Sequence, residues 1–190
     1  MKSQLTLISR VLSLFSGKLT STSTLASLIV VMVSPGISAS TNASIQGLPN
    51  GNYRFCSNPP STQVSDQELL EAGYCFLFRK TGSQIVGSYF NPSLSTEDAV
   101  CVTGQASNGI ISGEGLQLSQ GLPNGMSDFA GVRLTNWDEW GYLSVASATV
   151  LGTYEQTGYS QIHHRQAVLD LSNFYRYNAG IYLPPTDCFN

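Results

Sequence analysis

The sequence predicts a mainly β fold, an antiparallel meander closed into a small barrel or a barrel-like sandwich. Three observations carry this expectation. Runs of strand length in which apolar and polar residues alternate are separated by clusters of turn-forming residues. Asn108 and Gly109, the dipeptide preferred where two successive residues need positive φ, lie between two such runs. Only 11% of residues are charged, against 18 Gly, 9 Tyr and 8 Phe, a balance that suits strands and turns rather than long charged helices.

Residues 1–39 read as an export signal. Lys2, Arg10 and Lys18 precede the apolar stretch Leu25–Val33 with no acid among them, Ser34, Pro35 and Gly36 end that stretch, and Ile37, Ser38 and Ala39 supply small residues for cleavage before Ser40. Thr41, Asn42 and Ala43 offer a second cleavage position. The nine residues of the stretch fall well short of the roughly 20 needed for a helix across a hydrocarbon core. Three of the nine Lys and Arg, and none of the twelve Asp and Glu, lie in 1–39, so the remainder holds six cations against twelve acids, a formal charge of −6. That charge argues against nucleic acid and anionic lipid as partners, and the chain is not expected to insert in a membrane after signal cleavage.

Residues 40–46 form a polar lead with nothing to bury, and a single domain is expected over 47–190. Pro49, Asn50 and Gly51 turn the chain into a first strand at Tyr53 and Phe55, one of about seven. After a proline-containing loop, Ser65 and Glu68 form a capping box for a short helix near 66–72, ended by Gly73. Tyr74–Lys80 and Gln84–Phe90 make a hairpin through Thr81, Gly82 and Ser83. Val100–Ser107 and Ile110–Leu118 make the next, around Asn108 and Gly109, and Gly104, Gly113 and Gly115 inside them indicate curvature. Phe129–Thr135 and Tyr142–Val150 continue the meander. In the last segment His164, Ala167, Val168, Leu171, Phe174 and Tyr175 share one helical face, which predicts a C-terminal helix, with the alternation of Ala167, Leu169 and Leu171 leaving a strand as the other reading. The pentapeptide Gly47–Gly51 recurs as Gly121–Gly125, but the flanks diverge at once, so these are two similar turns and not a duplication.

Four cysteines in an exported chain are expected to pair. Antiparallel pairing of the strands at Tyr53 and Tyr74 brings Cys56 beside Cys75 and leaves Cys101 for Cys188, which pins the C-terminus. Cys75 with Cys101 is disfavoured because the strand at Gln84 lies between them. No Cys-x-x-Cys or Cys-x-x-His spacing is present, so neither metal nor any other cofactor is expected.

Candidate chemistry is sparse. His163 and His164 are the only histidines, with Ser160, Asp138, Glu139 and Asp170 as conceivable partners, but no Gly-x-Ser-x-Gly elbow accompanies them. Trp137, Asp138, Glu139 and Trp140, followed by Tyr142, form the most unusual loop. Two indoles beside carboxylates suit a sugar or peptide site, with Trp137, Trp140 and Tyr142 as the contact residues, while the alternative is that the rings close one end of the core and the acids cap the turn.

Three stretches, GLPNGNYRFC at 47–56, YCFLFRKTGSQIVGSYF at 74–90 and LDLSNFYRYNAG at 169–180, resemble segments of small exported cyanobacterial proteins of unknown function. The resemblance implies structural motifs and brings no active-site residues. The expectation is therefore a secreted or periplasmic non-catalytic protein that binds a small apolar or sugar-like ligand or a protein partner. The other two readings are a secreted hydrolase using His163 or His164 with a nearby acid, and a structural component of the cell envelope. Lipocalin-like barrels share the predicted outline as architecture only, and a ligand-binding barrel would require a cavity lined by Tyr and Phe.

Overall fold

Alternation and turn chemistry are realised as nine strands in the computed structural model, which describes residues 45–60, 69–94, 99–120 and 131–189. They are β1 (Gly51–Cys56), β2 (Cys75–Thr81), β3 (Gln84–Phe90), β4 (Val100–Ser107), β5 (Ile110–Gln120), β6 (Thr135–Asn136), β7 (Leu143–Tyr154), β8 (Tyr159–Asp170) and β9 (Tyr175–Tyr177). All belong to one antiparallel sheet in the order β6-β7-β8-β5-β4-β3-β2-β1-β9. The sheet is open, with β6 and β9 at its edges, so the chain is mainly β and the described residues do not close a barrel.

Turn residues set the registers. Asn108 and Gly109 take φ of 50° and 82°, the two positive values expected of that dipeptide, and Ser107 then pairs with Ile110. The β2–β3 connection is one residue shorter than the sequence suggested: Thr81 already pairs with Gln84, leaving Gly82 and Ser83 as the turn. Asn50 Oδ1 accepts the Gly82 N–H at 2.8 Å, which ties this turn to the start of β1.

One face of the sheet holds the core. Phe55, Phe76, Tyr89 and Val100 are successive cross-strand partners, as are Tyr53, Phe78, Gly87 and Val102 in the neighbouring row. The rings pack on one another, with centroids 5.0 Å apart for Phe76 and Phe78, 5.5 Å for Tyr53 and Phe78 and 5.7 Å for Phe55 and Phe78. Leu143, Val145, Ala167 and Leu169, from β7 and β8, join the same cluster as Tyr53 and Phe55 of β1, so the sheet curls round a common core. Gly104 and Gly113 face each other across β4 and β5, and a Cβ on either would collide with the opposite backbone, at the Ser112 and Thr103 carbonyls respectively. That close approach is where the sheet bends most readily.

The predicted C-terminal helix is not formed. The segment is β8, twelve residues of strand, and the helical periodicity came from a slip in strand alternation. Ser160, Ile162 and His164 point inward, Arg165 and Gln166 are both exposed, and inward alternation resumes at Ala167 and Leu169. The pairing with β5 shifts register at the same place, between Gly113 and Gly115. A bulge of this kind spaces buried residues three apart, as one turn of helix does.

Several other expectations meet the limits of the described residues. Residues 1–44 lie outside them, as do the capping-box residues Ser65 and Glu68, the second pentapeptide copy at Gly121–Gly125 and Phe129 of the strand expected at Phe129–Thr135. Of the described part of that strand, only Thr135 is in β6. The helix near 66–72 is described from Leu69, where Leu69 and Leu70 are helical and the Ala72 N–H returns to the Leu69 carbonyl. Ile45 belongs to a 3₁₀ turn, Ile45–Gly47, and is 1% exposed against the core, so packing begins before Gly47.

Both expected disulfides are present. Cys56 and Cys75 are directly paired across β1 and β2 with Cα atoms 4.0 Å apart, and Cys101 joins Cys188 at 5.5 Å. The pair indicates a non-reducing environment. On the outer face the registers align one transverse row across the sheet: Tyr177, Arg54, Leu77, Ser88, Cys101, Leu116, His163 and Thr149. The tail that follows β9 is attached along this row. Gly180 lies by Arg54, Cys188 is bonded to Cys101, and Phe189 packs edge-on against His163 at 5.0 Å. Leu77 and Leu116 in the row are buried as well.

Candidate functional site

The β6–β7 connection is built round one carboxylate. Asp138 Oδ1 accepts the N–H groups of Trp140 (2.9 Å) and Tyr142 (3.1 Å), while Oδ2 accepts the Leu143 N–H (2.7 Å) and the Tyr89 hydroxyl (2.9 Å). An aspartate at this position suits a turn because its short side chain reaches N–H groups a few residues ahead. Gly141 completes the turn at φ 72° and donates to the Asp138 carbonyl, and the Trp137 N–H closes the hairpin on the Leu143 carbonyl. Tyr89 is held protonated, since burial and then the charge of Asp138 push its hydroxyl far above the ordinary tyrosine value.

This turn separates the three aromatic candidates. Trp137 packs edge-on against Tyr89 (5.7 Å), and Tyr142 packs edge-on against Phe174 (5.0 Å) and Tyr74 (6.4 Å), so both support the core. Trp140 is 68% exposed. Glu139, beside it, is exposed as well. The arrangement holds one indole face in solvent on a turn whose backbone is fixed at three N–H groups. It can stack on a flat or CH-rich ligand surface and offer a carboxylate as hydrogen-bond acceptor.

The two histidines are divided in the same way. His164 lies on the inner face, 2% exposed, with Nε2 3.1 Å from Gln117 Oε1. An amide oxygen only accepts, so the neutral ring carries its proton on Nε2. Burial, and then repulsion from His163, lower its pKa to about 4. His163 is on the outer face with Nε2 3.1 Å from Glu114 Oε2, a half-exposed pair flanked in its row by Leu116 and Thr149. Of the expected partners, Asp138 is engaged in its own turn and with Tyr89, Ser160 lies 3.1 Å from the Thr153 hydroxyl, Asp170 accepts the Ser172 N–H, and Glu139 is exposed.

Tyr89, Gln117 and Arg54 escaped the sequence reading, although each occupies a strand position of readable phase. Arg54, between Tyr53 and Phe55, was a lone charge in an aromatic strand, which was the available signal. Among the described residues no three His, Cys, Asp or Glu are grouped to hold a metal ion, and no helix is long and apolar enough to cross a membrane.

No family model, curated protein or solved structure matches this chain.

Proposed function

We propose that the protein is an exported, non-catalytic binding protein that meets a saccharide-like ligand at Trp140. The carrying observation is a solvent-exposed indole on a turn clamped by Asp138. Such a platform loses little conformational entropy when a sugar ring stacks on it. The Tyr and Phe of the sheet pack against one another, which favours a surface ligand over an apolar one in the interior. In this reading residues 1–39 are a cleaved signal, the site of action is secreted or periplasmic, and the curled sheet approaches a barrel of lipocalin-like outline. The chain is read as akin to the small exported cyanobacterial proteins whose segments it resembles.

The chain has two Trp residues, so Trp137→Phe leaves Trp140 as the sole indole emitter. Its fluorescence is expected to shift and saturate on titration with an oligosaccharide panel, and Trp140→Ala is expected to abolish binding by calorimetry. Saturable binding unaffected by Trp140→Ala, or no binding across the panel, would overturn the proposal.

The His163–Glu114 contact favours one second reading, a hydrolase with His163 as base. Turnover of chromogenic ester or glycoside substrates that is lost in His163→Gln would support it, and turnover unchanged by that substitution would refute it.

A further inference from the structure

Cations are distributed unevenly over this acidic chain. Of the six Lys and Arg in residues 40–190, four, Arg54, Arg79, Lys80 and Arg176, lie on the adjacent strands β2, β1 and β9, which carry no Asp or Glu. Lys80 donates to the Gly82 carbonyl, and Arg176 lies over the Tyr53 ring with Cζ 5.2 Å from its centroid. Arg54 has no comparable contact. Its side chain is on the outer face, 6% exposed, and Nε is buried without a hydrogen-bond partner. Among the described residues no ion pair includes it.

A guanidinium is an obligate cation with five donors, and burying it unpaired is among the costlier arrangements a fold can keep. Burial does push Arg54 below its ordinary pKa, opposed in part by the Tyr182 hydroxyl. Its neighbours in the transverse row are Leu77 and Tyr177, and Arg79 lies one diagonal step away on the same face, so no negative charge comes from the sheet. The fork of the guanidinium points at the tail. A Cβ placed on Gly180 would be 3.7 Å from Nη2 and 3.8 Å from Nη1, with no other described atom within 4 Å beyond Gly180 and its chain neighbours. Both terminal nitrogens thus lie within van der Waals reach of the position where Gly180 carries no side chain. The Gly180 N–H does not point there for want of a partner, since it donates to Asn178 Oδ1 at 3.1 Å.

We propose that Arg54 is the floor of an oxyanion site, entered at Gly180 beneath the C-terminal tail, which takes two oxygens of a sulfate ester, a phosphate ester or a carboxylate. The planar fork matches paired oxygens, and Arg79 adds a second positive charge one diagonal step from Arg54 on the same face. Gly180 of the tail lies against the site, so occupancy also fixes this part of the tail. This site is independent of Trp140.

The test is urea unfolding of the exported, oxidised protein with added phosphate, sulfate or acetate, against chloride at equal ionic strength. At least one anion is expected to raise the midpoint along a saturating curve, as one-site binding requires, whereas ion exclusion from the surface gives a rise without a plateau. Arg54→Met is expected to remove the saturable part, and Arg54→Lys to weaken it about tenfold by loss of the fork. A plateau with acetate assigns a carboxylate ligand, and one confined to phosphate or sulfate assigns a tetrahedral ester. The ¹⁵N Nε–H resonance of Arg54 in the unsubstituted protein provides a readout that does not depend on variants folding. A resonance that moves to a plateau supports the site. Absence of saturation with all three anions, or a saturable rise that survives in Arg54→Met, overturns it.

Discussion

Acidification should destabilise the fold through His164, and substitution of that residue isolates the effect. The ring is buried on the inner face against Gln117, with its pKa lowered from 6.5 to about 4 by burial and then by His163. Because the folded value lies below the unfolded one, the unfolded chain takes up the proton first. The stability linked to this group is therefore fully present above pH 6.5 and is lost as pH falls through about 4. At about 1.36 kcal/mol per pH unit the full loss is about 3 kcal/mol, of which about 2 kcal/mol is gone at pH 5. Carboxylates also titrate in this range, so the measurement compares the protein with His164→Gln, whose amide keeps a donor for Gln117 and does not titrate. Urea unfolding followed by tryptophan fluorescence, between pH 7.5 and 4.5 with disulfides intact, gives both curves. The variant is expected to be the less stable at pH 7.5 and to gain on the parent by about 2 kcal/mol by pH 5. Parallel curves over the whole range would show that His164 is not held neutral by burial.

Asp138→Ala leaves three backbone N–H groups and the Tyr89 hydroxyl without their acceptor, and is expected to cost about 3 kcal/mol while lowering the fluorescence anisotropy of Trp140 in the Trp137→Phe background. Gly113→Ala drives a methyl group into the Thr103 carbonyl and should cost about 2–3 kcal/mol in urea unfolding, whereas Gly152→Ala, with open space around it, should stay within about 0.5 kcal/mol. Replacing both Cys101 and Cys188 by Ser opens a span of 87 residues, against 19 for Cys56 and Cys75. Chain entropy then predicts losses of about 4–5 and about 3 kcal/mol respectively, and the larger effect for the shorter span would show that native packing governs instead.

Local signals were legible wherever a residue's own stereochemistry decided the outcome. Asn108 and Gly109 specified their turn because few other residues take two positive φ values, and the strands on either side followed from its register. The disulfides were favoured for a related reason: antiparallel pairing of the strands at Tyr53 and Tyr74 sets the end of one beside the start of the other, and the register that puts Cys56 opposite Cys75 came from the sheet itself. The last strand was misread because His164, Ala167 and Leu171 have the spacing of a helical face. That spacing is generated by exposing Arg165 and Gln166 together, and a bulge is stabilised by the neighbouring strand, whose sequence lies some 50 residues away. The Trp loop was readable in composition but not in its division of labour. Nothing in Trp137, Trp140 and Tyr142 themselves decides which ring meets Tyr89, which meets Phe174 and which is left in water.

The sequence by itself determined the mainly β antiparallel class, most of the strands and the turn chemistry, because these depend on short-range stereochemistry and on the two-residue period of a strand, and it favoured the observed cysteine pairing over the other two connectivities. Tertiary structure alone decided how far the sheet curls, which histidine is buried, which tryptophan is presented, and that Arg54 lies under the C-terminal tail. Each of those depends on residues brought together across registers such as Arg54 with Tyr177 and Gly115 with His164, where separations of many residues along the chain become one inter-strand step.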